Sequence, residues 1–479
     1  MSPFLVAFLP ELVLAIGALG LFGVTLGKNA GTSAKQLSLA LALAFIAATV
    51  FSFHAEATLF SGAYRIDAFS QLLKLVIAIG YLVVLLLSRD LDDIRHDIKA
   101  EYFLFLSLGI SGLTYLVSSI DVITIVVSLE LSSFPLYLLV AMRREREGQR
   151  VQMESAIKYM MFGVAANGTM FFGLSYLFGL TGSTSLPVMM TKLAPQMGNP
   201  LAVAGLGLTF AGLFYKLAVF PFHFWTPDVY QGASNETAGL VASLPKLGAV
   251  AVLVRFTALA TPDNRTISLL FAGLAAASML YGNLIALVQK DLKRLLGFSG
   301  IAHAGYALVG FVALDRAGFT AALFYITGYL LMVLACFVVI SRVSRDGTNL
   351  SMDELAGLHK RSPLLALTLG VAVFALAGIP PFVGFTGKLG LLIAAWSRQH
   401  YAIVIFAVIN SAIAVYYYLR VVKETYFSDP GDRPVIAIDL STKFVCALLL
   451  IGILALGVAP ATVLDTIANS LSTLAVAAR

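Results

Sequence analysis

The sequence predicts an all-α, polytopic membrane protein of about fourteen transmembrane helices, with two inverted five-helix repeats and discontinuous helices 7 and 12. Three observations carry that prediction. The 479 residues are 59% hydrophobic and only 12% charged, roughly half the charged share of a soluble domain. Apolar runs long enough for the ~20 residues that cross a bilayer recur along the whole chain. Two of those runs hold a lysine beside prolines, GLFYKLAVFPFHFWTPDVYQG from residue 212 and ALAGIPPFVGFTGKLGLL from residue 375.

Taken in order, the spans begin near residues 4, 36, 67, 102, 120, 153, 200, 238, 266, 295, 317, 363, 401 and 440. The first has no Lys or Arg before Lys28, so it is predicted to be a retained span and not a cleaved signal. Connectors after odd-numbered spans hold twenty Lys and Arg residues, from Lys28 and Arg89 through Arg143, Arg144, Arg146 and Arg345 to Lys443. Connectors after even-numbered spans, with Arg479, hold six. Positive loops stay in the cytoplasm, so both termini are expected on the outer face of the cell inner membrane. The net charge of +6 then reflects topology, and nucleic acid is not an expected partner. Long runs of Leu, Ala, Val and Ile exclude an outer-membrane barrel.

Cys336 and Cys446 both lie in apolar spans, at no metal-ligand spacing. GFTGKLG lacks the earlier glycine and following Ser or Thr of a phosphate loop, and no soluble block is large enough for a nucleotide or iron–sulfur domain. No cofactor or metal is therefore expected in this chain, and any redox chemistry belongs to another polypeptide.

Inside the spans stand Lys74, Lys158, Lys216, Lys246, Arg255 and Lys388, with Glu130 read as the only acid deep in a span. Ionisable groups at membrane depth cost several kcal/mol each on insertion scales, so ~7 of them point to a polar path. Pro221 behind Lys216, and Pro380–Pro381 ahead of Lys388, each remove an amide donor and crowd the preceding turn. Interrupted helices survive in a membrane only where protein or a hydrated cavity covers the break, and a matched pair marks inverted repeats. Glu130 precedes Lys216 by 86 residues and His303 precedes Lys388 by 85. This spacing divides the chain into a three-helix segment (1–100), a first repeat (101–262), a second, inverted repeat (263–428) and a C-terminal helix (429–479).

Desolvation loosens a lysine's hold on its proton and a neighbouring carboxylate tightens it, so lysines near a movable carboxylate can be switched. Glu130 and Lys216 are the expected switching pair, with Lys246 relaying to Lys388 and the proton leaving outward. Lys158, His223 and His303 are further relay candidates. Plainer readings stand beside these: a snorkelling lysine for Lys158, packed and hydrogen-bonded rings for His223 and His303, snorkelling or structural pairs for Lys74 and Arg255, and structural ion pairs for Glu130 and Lys246. The run Tyr416–Tyr418 reads as interfacial packing.

HFWTPDVYQGA, KRLLGFSGIAHAGYALVG, MDELAGLHKRSPLLAL, LAGIPPFVGFTGKLGLL and NSAIAVYYYLRVVKETYF resemble the subunit N family of bacterial NADH–quinone oxidoreductase, counterpart of mitochondrial NADH dehydrogenase subunit 2. The likeness runs from about residue 65 to residue 428. WTPDVY favours this family over the related subunits M and L, whose matching segment usually reads WLPDA. The resemblance implies one proton channel in the membrane arm of complex I, a proton-pumping translocase. In it, the acid of helix 5 is Glu130, the lysines of helices 6, 7 and 8 are Lys158, Lys216 and Lys246, and that of helix 12 is Lys388. It places NADH, FMN, iron–sulfur clusters and quinone in partner subunits, with subunits M and K as neighbours within the lipid bilayer. The chain departs from the family's VYEGAP: Gln231 and Ser234 replace Glu and Pro, and Glu236 is added, so the start of helix 8 is expected to differ. A cation/proton antiporter or membrane-bound hydrogenase subunit of the same superfamily, and an inert membrane scaffold, remain the alternatives.

Overall fold

The computed structural model describes residues 3–476, except 28, 29, 89, 90, 146–149, 258–262 and 345. Of the basic residues used above for orientation, Lys28, Arg89, Arg146, Arg345 and Arg479 lie outside the described residues. The helices are α1 (Pro3–Ala7), α2 (Leu9–Thr25), α3 (Gly31–Phe51), α4 (Ala68–Leu87), α5 (Lys99–Ser118), α6 (Val122–Ala141) and α7 (Val151–Thr181). They continue with α8 (Leu186–Leu193), α9 (Pro200–Leu217), α10 (Thr226–Gly232), α11 (Asn235–Thr257), α12 (Arg265–Ala286), α13 (Leu292–Val312) and α14 (Arg316–Val343). The remainder are α15 (Leu358–Arg361), α16 (Pro363–Ala377), α17 (Val383–Ser397), α18 (Tyr401–Phe427), α19 (Leu440–Val458) and α20 (Ala461–Val476). One antiparallel hairpin, β1 (Ala57–Leu59) and β2 (Tyr64–Ile66), stands between α3 and α4.

Twelve of these helices are long and apolar enough to cross a membrane. The 17-residue α2 and the pair α16 and α17 supply the other two expected spans, and α10 completes the span that α9 begins. α20, which follows the last of these spans, has no counterpart in the sequence reading. The bundle has an inside and an outside. The apolar stretches of α11 and α13 are buried throughout and that of α14 nearly so, whereas α7, α12, α18 and α19 leave more than half of theirs facing outward. Lys246 and Arg255 on α11 and Lys293 and His303 on α13 are accordingly enclosed by protein.

The two halves share a construction that periodicity alone does not reveal. α6 and α13 are each the second helix of their five, and each opens on an aspartate whose carboxylate caps its first turn: Asp121 accepts from the Ile123 amide, Asp291 from the Arg294 amide, both at 2.9 Å. Each aspartate also bridges to a serine that follows the next long helix, Asp121 to Ser185 and Asp291 to Ser351. Two backbone bonds flank each bridge, from Val122 to Thr184 and Leu186 to Ile120, and from Leu292 to Leu350 and Met352 to Lys290. With five spans between them, equivalent elements run in opposite directions.

Each half also breaks one span. α9 stops at Ala218 (φ +65°) and α16 at Gly378 (φ +87°), both left-handed. The following residue, Val219 or Ile379, returns its amide to the carbonyl of Phe214 or Phe374, which satisfies part of each helix end. The Phe220–Pro221 and Pro380–Pro381 bonds in the two breaks are cis.

The divergent start of helix 8 is short. α10 ends at Gly232 and α11 begins at Asn235, with the Ser234 hydroxyl accepting from the Thr237 amide at 3.3 Å as an N-cap. Gln231 accepts from Arg294 and donates to Asp291, which ties the end of α10 to the start of α13. Lys246 then stands about 16 Å along α11, beyond Pro245, deeper than a start near 238 implies.

Candidate functional site

At the first break, Lys216 lies in the last turn of α9. It is 4% exposed, and its Nζ has no hydrogen-bond partner among the described residues. Glu130, half-buried on α6, forms no ion pair with it; its Oε1 accepts from the Asn167 side chain at 2.5 Å. Asn167 on α7 also faces α9. A Cβ built on Gly212, one turn before Lys216, would stand 3.1 Å from Asn167 Oδ1, so the missing side chain lets the amide reach α9. Three buried polar atoms without partners collect on these helices: Lys216 Nζ, Asn167 Oδ1 and the Tyr137 hydroxyl. Beside them Tyr159 stacks on Trp225 at 4.6 Å, and Trp225 donates to the Tyr215 carbonyl at 3.1 Å.

The other two lysines lie at either end of a row of buried rings. Lys246 on α11 donates to the Gly300 carbonyl at 3.0 Å and lies 4.9 Å from the centre of the Tyr329 ring. Gly300 makes room for it, since a Cβ there would fall 3.1 Å from the amine and 3.0 Å from the Tyr329 hydroxyl. His303, one turn on along α13, has its ring centre 5.1 Å from that of Tyr329. Its Nδ1 bonds the Tyr325 hydroxyl at 2.6 Å and its Nε2 the Tyr418 hydroxyl at 3.0 Å. Tyr306 follows, 6.2 Å from His303 between ring centres, and Lys388 Nζ sits 4.6 Å over the Tyr306 ring. Lys388 donates to the carbonyls of Leu376 and Ala377 and to the Ser411 hydroxyl, at 3.1, 3.0 and 3.1 Å. Those carbonyls end α16, where the helix dipole favours a cation.

The remaining candidates sit elsewhere. Lys158 is 38% exposed and pairs with Glu154 at 2.6 Å and Asp228 at 2.7 Å, and Asp228 also takes Arg294. His223 is enclosed by the rings of Phe220, Phe224 and Tyr281, and neither of its nitrogens has a hydrogen-bond partner among the described residues. Lys74 and Arg255 form structural pairs, Lys74 with Glu11 and Arg255 with Asp67. Glu11 corrects one expectation. It is fully buried, pairs in charge with Lys74 and accepts from the Tyr64 hydroxyl, so Glu130 is not the only acid inside a span; its place in the first turn of α2 hid it. The tyrosine run needs a second correction. Tyr416 is exposed, but Tyr417 and Tyr418 are buried and bond Asn283 and His303, because successive helical residues face about 100° apart. Sequence reasoning also missed Asn167, Ser411, Tyr306, Tyr325 and Tyr329, whose single signal was that polar residues recur in apolar spans. Among the described residues no group of three or more His, Cys, Asp or Glu converges as a metal site requires.

Comparison with known proteins places this geometry. The sequence model of the NADH:quinone oxidoreductase/Mrp antiporter transmembrane family matches residues 119–414. The chain is 66% identical to NADH-quinone oxidoreductase subunit N 2 of Opitutus terrae, over 98% of both chains. It is 41% identical to the protein of the same name from Syntrophobacter fumaroxidans, over 95% of this chain and 96% of that one. Among solved structures it superposes on a chain of respiratory complex I from Thermus thermophilus with a TM-score of 0.81 and 30% identity, covering 95% of this chain and 98% of that one. A chain of the Mrp complex from a Dietzia species shares the fold, with a TM-score of 0.87 at 21% identity over 99% and 98% of the two chains.

Proposed function

Because the chain belongs to the NADH:quinone oxidoreductase/Mrp antiporter transmembrane family, among the subunit N proteins of NADH-quinone oxidoreductase, we propose that it carries protons across the membrane along the line from Lys216 to Lys388. It is a proton-translocating membrane-arm subunit of complex I. NADH oxidation and quinone reduction, with FMN and iron–sulfur clusters, take place in partner subunits. The basic loops face the cytoplasm, both termini face outward across the cell inner membrane, and subunits M and K are the neighbours. Residues 101–262 and 263–428 act as the two repeat units, with 1–100 and 429–479 flanking them.

The single observation that carries this reading is the line Lys246, Tyr329, His303, Tyr306, Lys388, in which Lys246 stands on α11 and His303 and Tyr306 on α13, the two helices whose apolar stretches are buried throughout. Ionisable groups in so enclosed a place are retained for transport more often than for packing. On the other side, Glu130 acts on Lys216 through Asn167. When Glu130 turns toward the amine, Lys216 keeps its proton; when Asn167 holds the carboxylate, the proton is released toward Lys246. Lys388, whose charge rests on the last carbonyls of α16, is the final station before the outer face.

The test uses complete complex reconstituted into liposomes, with Lys216→Ala, Lys246→Ala or Lys388→Ala. The rate of proton pumping should fall in each, by about a hundredfold where a proton-transfer group is lost, and protons moved per electron should fall with it. Normal pumping stoichiometry in all three would overturn the reading.

A further inference from the structure

Lys293 is a buried lysine that the row from Lys246 to Lys388 does not use. It lies in the first turn of α13, and among the described residues its amine makes one hydrogen bond, to the Ala233 carbonyl at 2.8 Å. Capping the end of α10 does not account for it, because Arg143, paired with Asp93, already donates to the Gln231 and Gly232 carbonyls at 2.7 and 3.4 Å. An ammonium has three N–H groups, so two of those on a protonated Lys293 find no acceptor among the described residues. Lys293, Gly297 and Gly300 fall on one stripe of α13, and α10 lies along it. A Cβ on Gly297 would stand 3.1 Å from Pro227 Cα, and one on Gly300 would stand 3.0 Å from the Tyr329 hydroxyl, 3.1 Å from the Lys246 amine and 3.8 Å from the Tyr230 hydroxyl. That last hydroxyl is buried and has no hydrogen-bond partner among the described residues. A phenylalanine would pack as well against Trp225 and Phe337 and strand nothing, so packing does not explain the oxygen. At the other end, Gly232, next to Ala233, lines a cavity of about 770 Å³ on the side of the basic loops, together with Arg143, Gln152 and the exposed Asp92 and Asp346.

We propose that Lys293 and the Tyr230 hydroxyl form an inlet through which Lys246 is loaded with protons from this cavity, apart from the supply through Lys216. The inlet rests on the proton-transfer reading of the row. The unprotonated amine of Lys293 takes a proton from cavity water. The ammonium so formed gives one N–H proton, through bridging water, to the Tyr230 oxygen, whose own hydroxyl proton moves to the unprotonated amine of Lys246. Lys293 is then ready for the next. One proton enters and one leaves, and the tyrosine ends as it began. Water has to complete the route, since Lys293 and Gly300 are about 10 Å apart along α13. Lys246 is thereby a junction, reached from Lys216 on one side and from the loop cavity on the other, and it is refilled each time it passes a proton toward Lys388.

Three substitutions in the complete complex, reconstituted into liposomes, test the inlet. Tyr230→Phe keeps the ring and removes a hydroxyl without a partner, so pumping should slow about tenfold while thermal dissociation of the complex comes no earlier. Lys293→Arg keeps a cation and a donor for the Ala233 carbonyl but cannot release a proton, so it should slow pumping to the same extent, whereas a purely structural cation would be rescued by arginine. The two changes together should slow pumping no more than either alone, because both cut one path. Tyr81→Phe is the control, since its hydroxyl shares a hydrogen bond with Ser107, away from the row, and pumping should stay normal. The proposal is overturned if Tyr230→Phe pumps like Tyr81→Phe, if its pumping falls only in step with an earlier dissociation, or if Lys293→Arg pumps normally. Normal pumping in Lys246→Ala would instead remove the proton-transfer reading itself, whereas lost pumping there with normal pumping in Tyr230→Phe removes the inlet alone.

Discussion

The two broken helices place their lysines on opposite sides of the break, and the fates of the two amines differ accordingly. Lys216 precedes its break. Its helix runs away from it, the next half-helix starts at Thr226, ten residues on, with Pro227 lying on Gly297 of α13, and among the described residues the amine reaches no carbonyl. Lys388 follows its break. Its side chain passes over Gly378, where a Cβ would stand 2.9 Å from the lysine Cδ, and the amine lands on the exposed carbonyl end of α16. One amine is fully satisfied and the other is buried without a partner. An inverted repeat thus does not duplicate chemistry: a shift of a few residues relative to the same kind of break turns a held charge into a movable one.

The sharpest way to break this comparison is to fill the space that seats the second half-helix. A Cβ on Gly384 would lie 1.7 Å from the Ala375 carbonyl, so α17 cannot start where it does with any side chain there. Gly384→Ala should destabilise the subunit by about 3 kcal/mol and reduce its recovery in assembled complex, because backbone and not a flexible side chain must move. Next in size is the amine itself. Lys388→Met keeps the length of the side chain and strands the Leu376 and Ala377 carbonyls, a loss of about 2 kcal/mol. Lys216→Met strands nothing and should raise stability by about 1 kcal/mol, since a buried amine without a partner is removed. Thermal dissociation of the purified complex reads both. Equal and same-signed shifts would mean the two amines are held alike, contrary to the comparison.

Much of the fold was legible because its causes are local in sequence. Apolar runs mark spans and prolines mark breaks, so α9 with α10 and α16 with α17 were expected as interrupted pairs at the right places. The charged members of the site were legible for the same reason, as a lysine or histidine in an apolar run has no local explanation. What escaped were partners chosen in three dimensions. Asn167, Tyr325, Tyr418 and Ser411 come from α7, α14 and α18, and nothing in a single span distinguishes Tyr418, which bonds His303, from exposed Tyr416 two residues earlier. Glu130 and Lys216 were expected as a switching pair because both are charged and lie at mid-span; in the structure Glu130 takes the Asn167 amide, and the Lys216 amine has no hydrogen-bond partner among the described residues.

The smallest predicted effect tests the backbone of the comparison apart from its charges. Both breaks need a left-handed residue, yet the second uses Gly378 and the first uses Ala218, at φ +65°. A side chain in that region costs roughly 1–2 kcal/mol relative to the right-handed one, through the clash of Cβ with the following carbonyl, and glycine avoids it. Ala218→Gly should therefore stabilise the subunit, by up to about 1 kcal/mol once the greater freedom of glycine in the unfolded chain is counted. It should leave Lys216 where it is, since the substitution adds no atom. The same change sharpens the functional contrast. If the break beside Lys216 is only a static cap, Ala218→Gly will raise the thermal dissociation temperature with pumping unchanged. If the first break must flex for the unpartnered amine to meet Glu130, pumping per electron will change with stability, whereas Gly378, already relaxed beside a satisfied amine, offers no such gain.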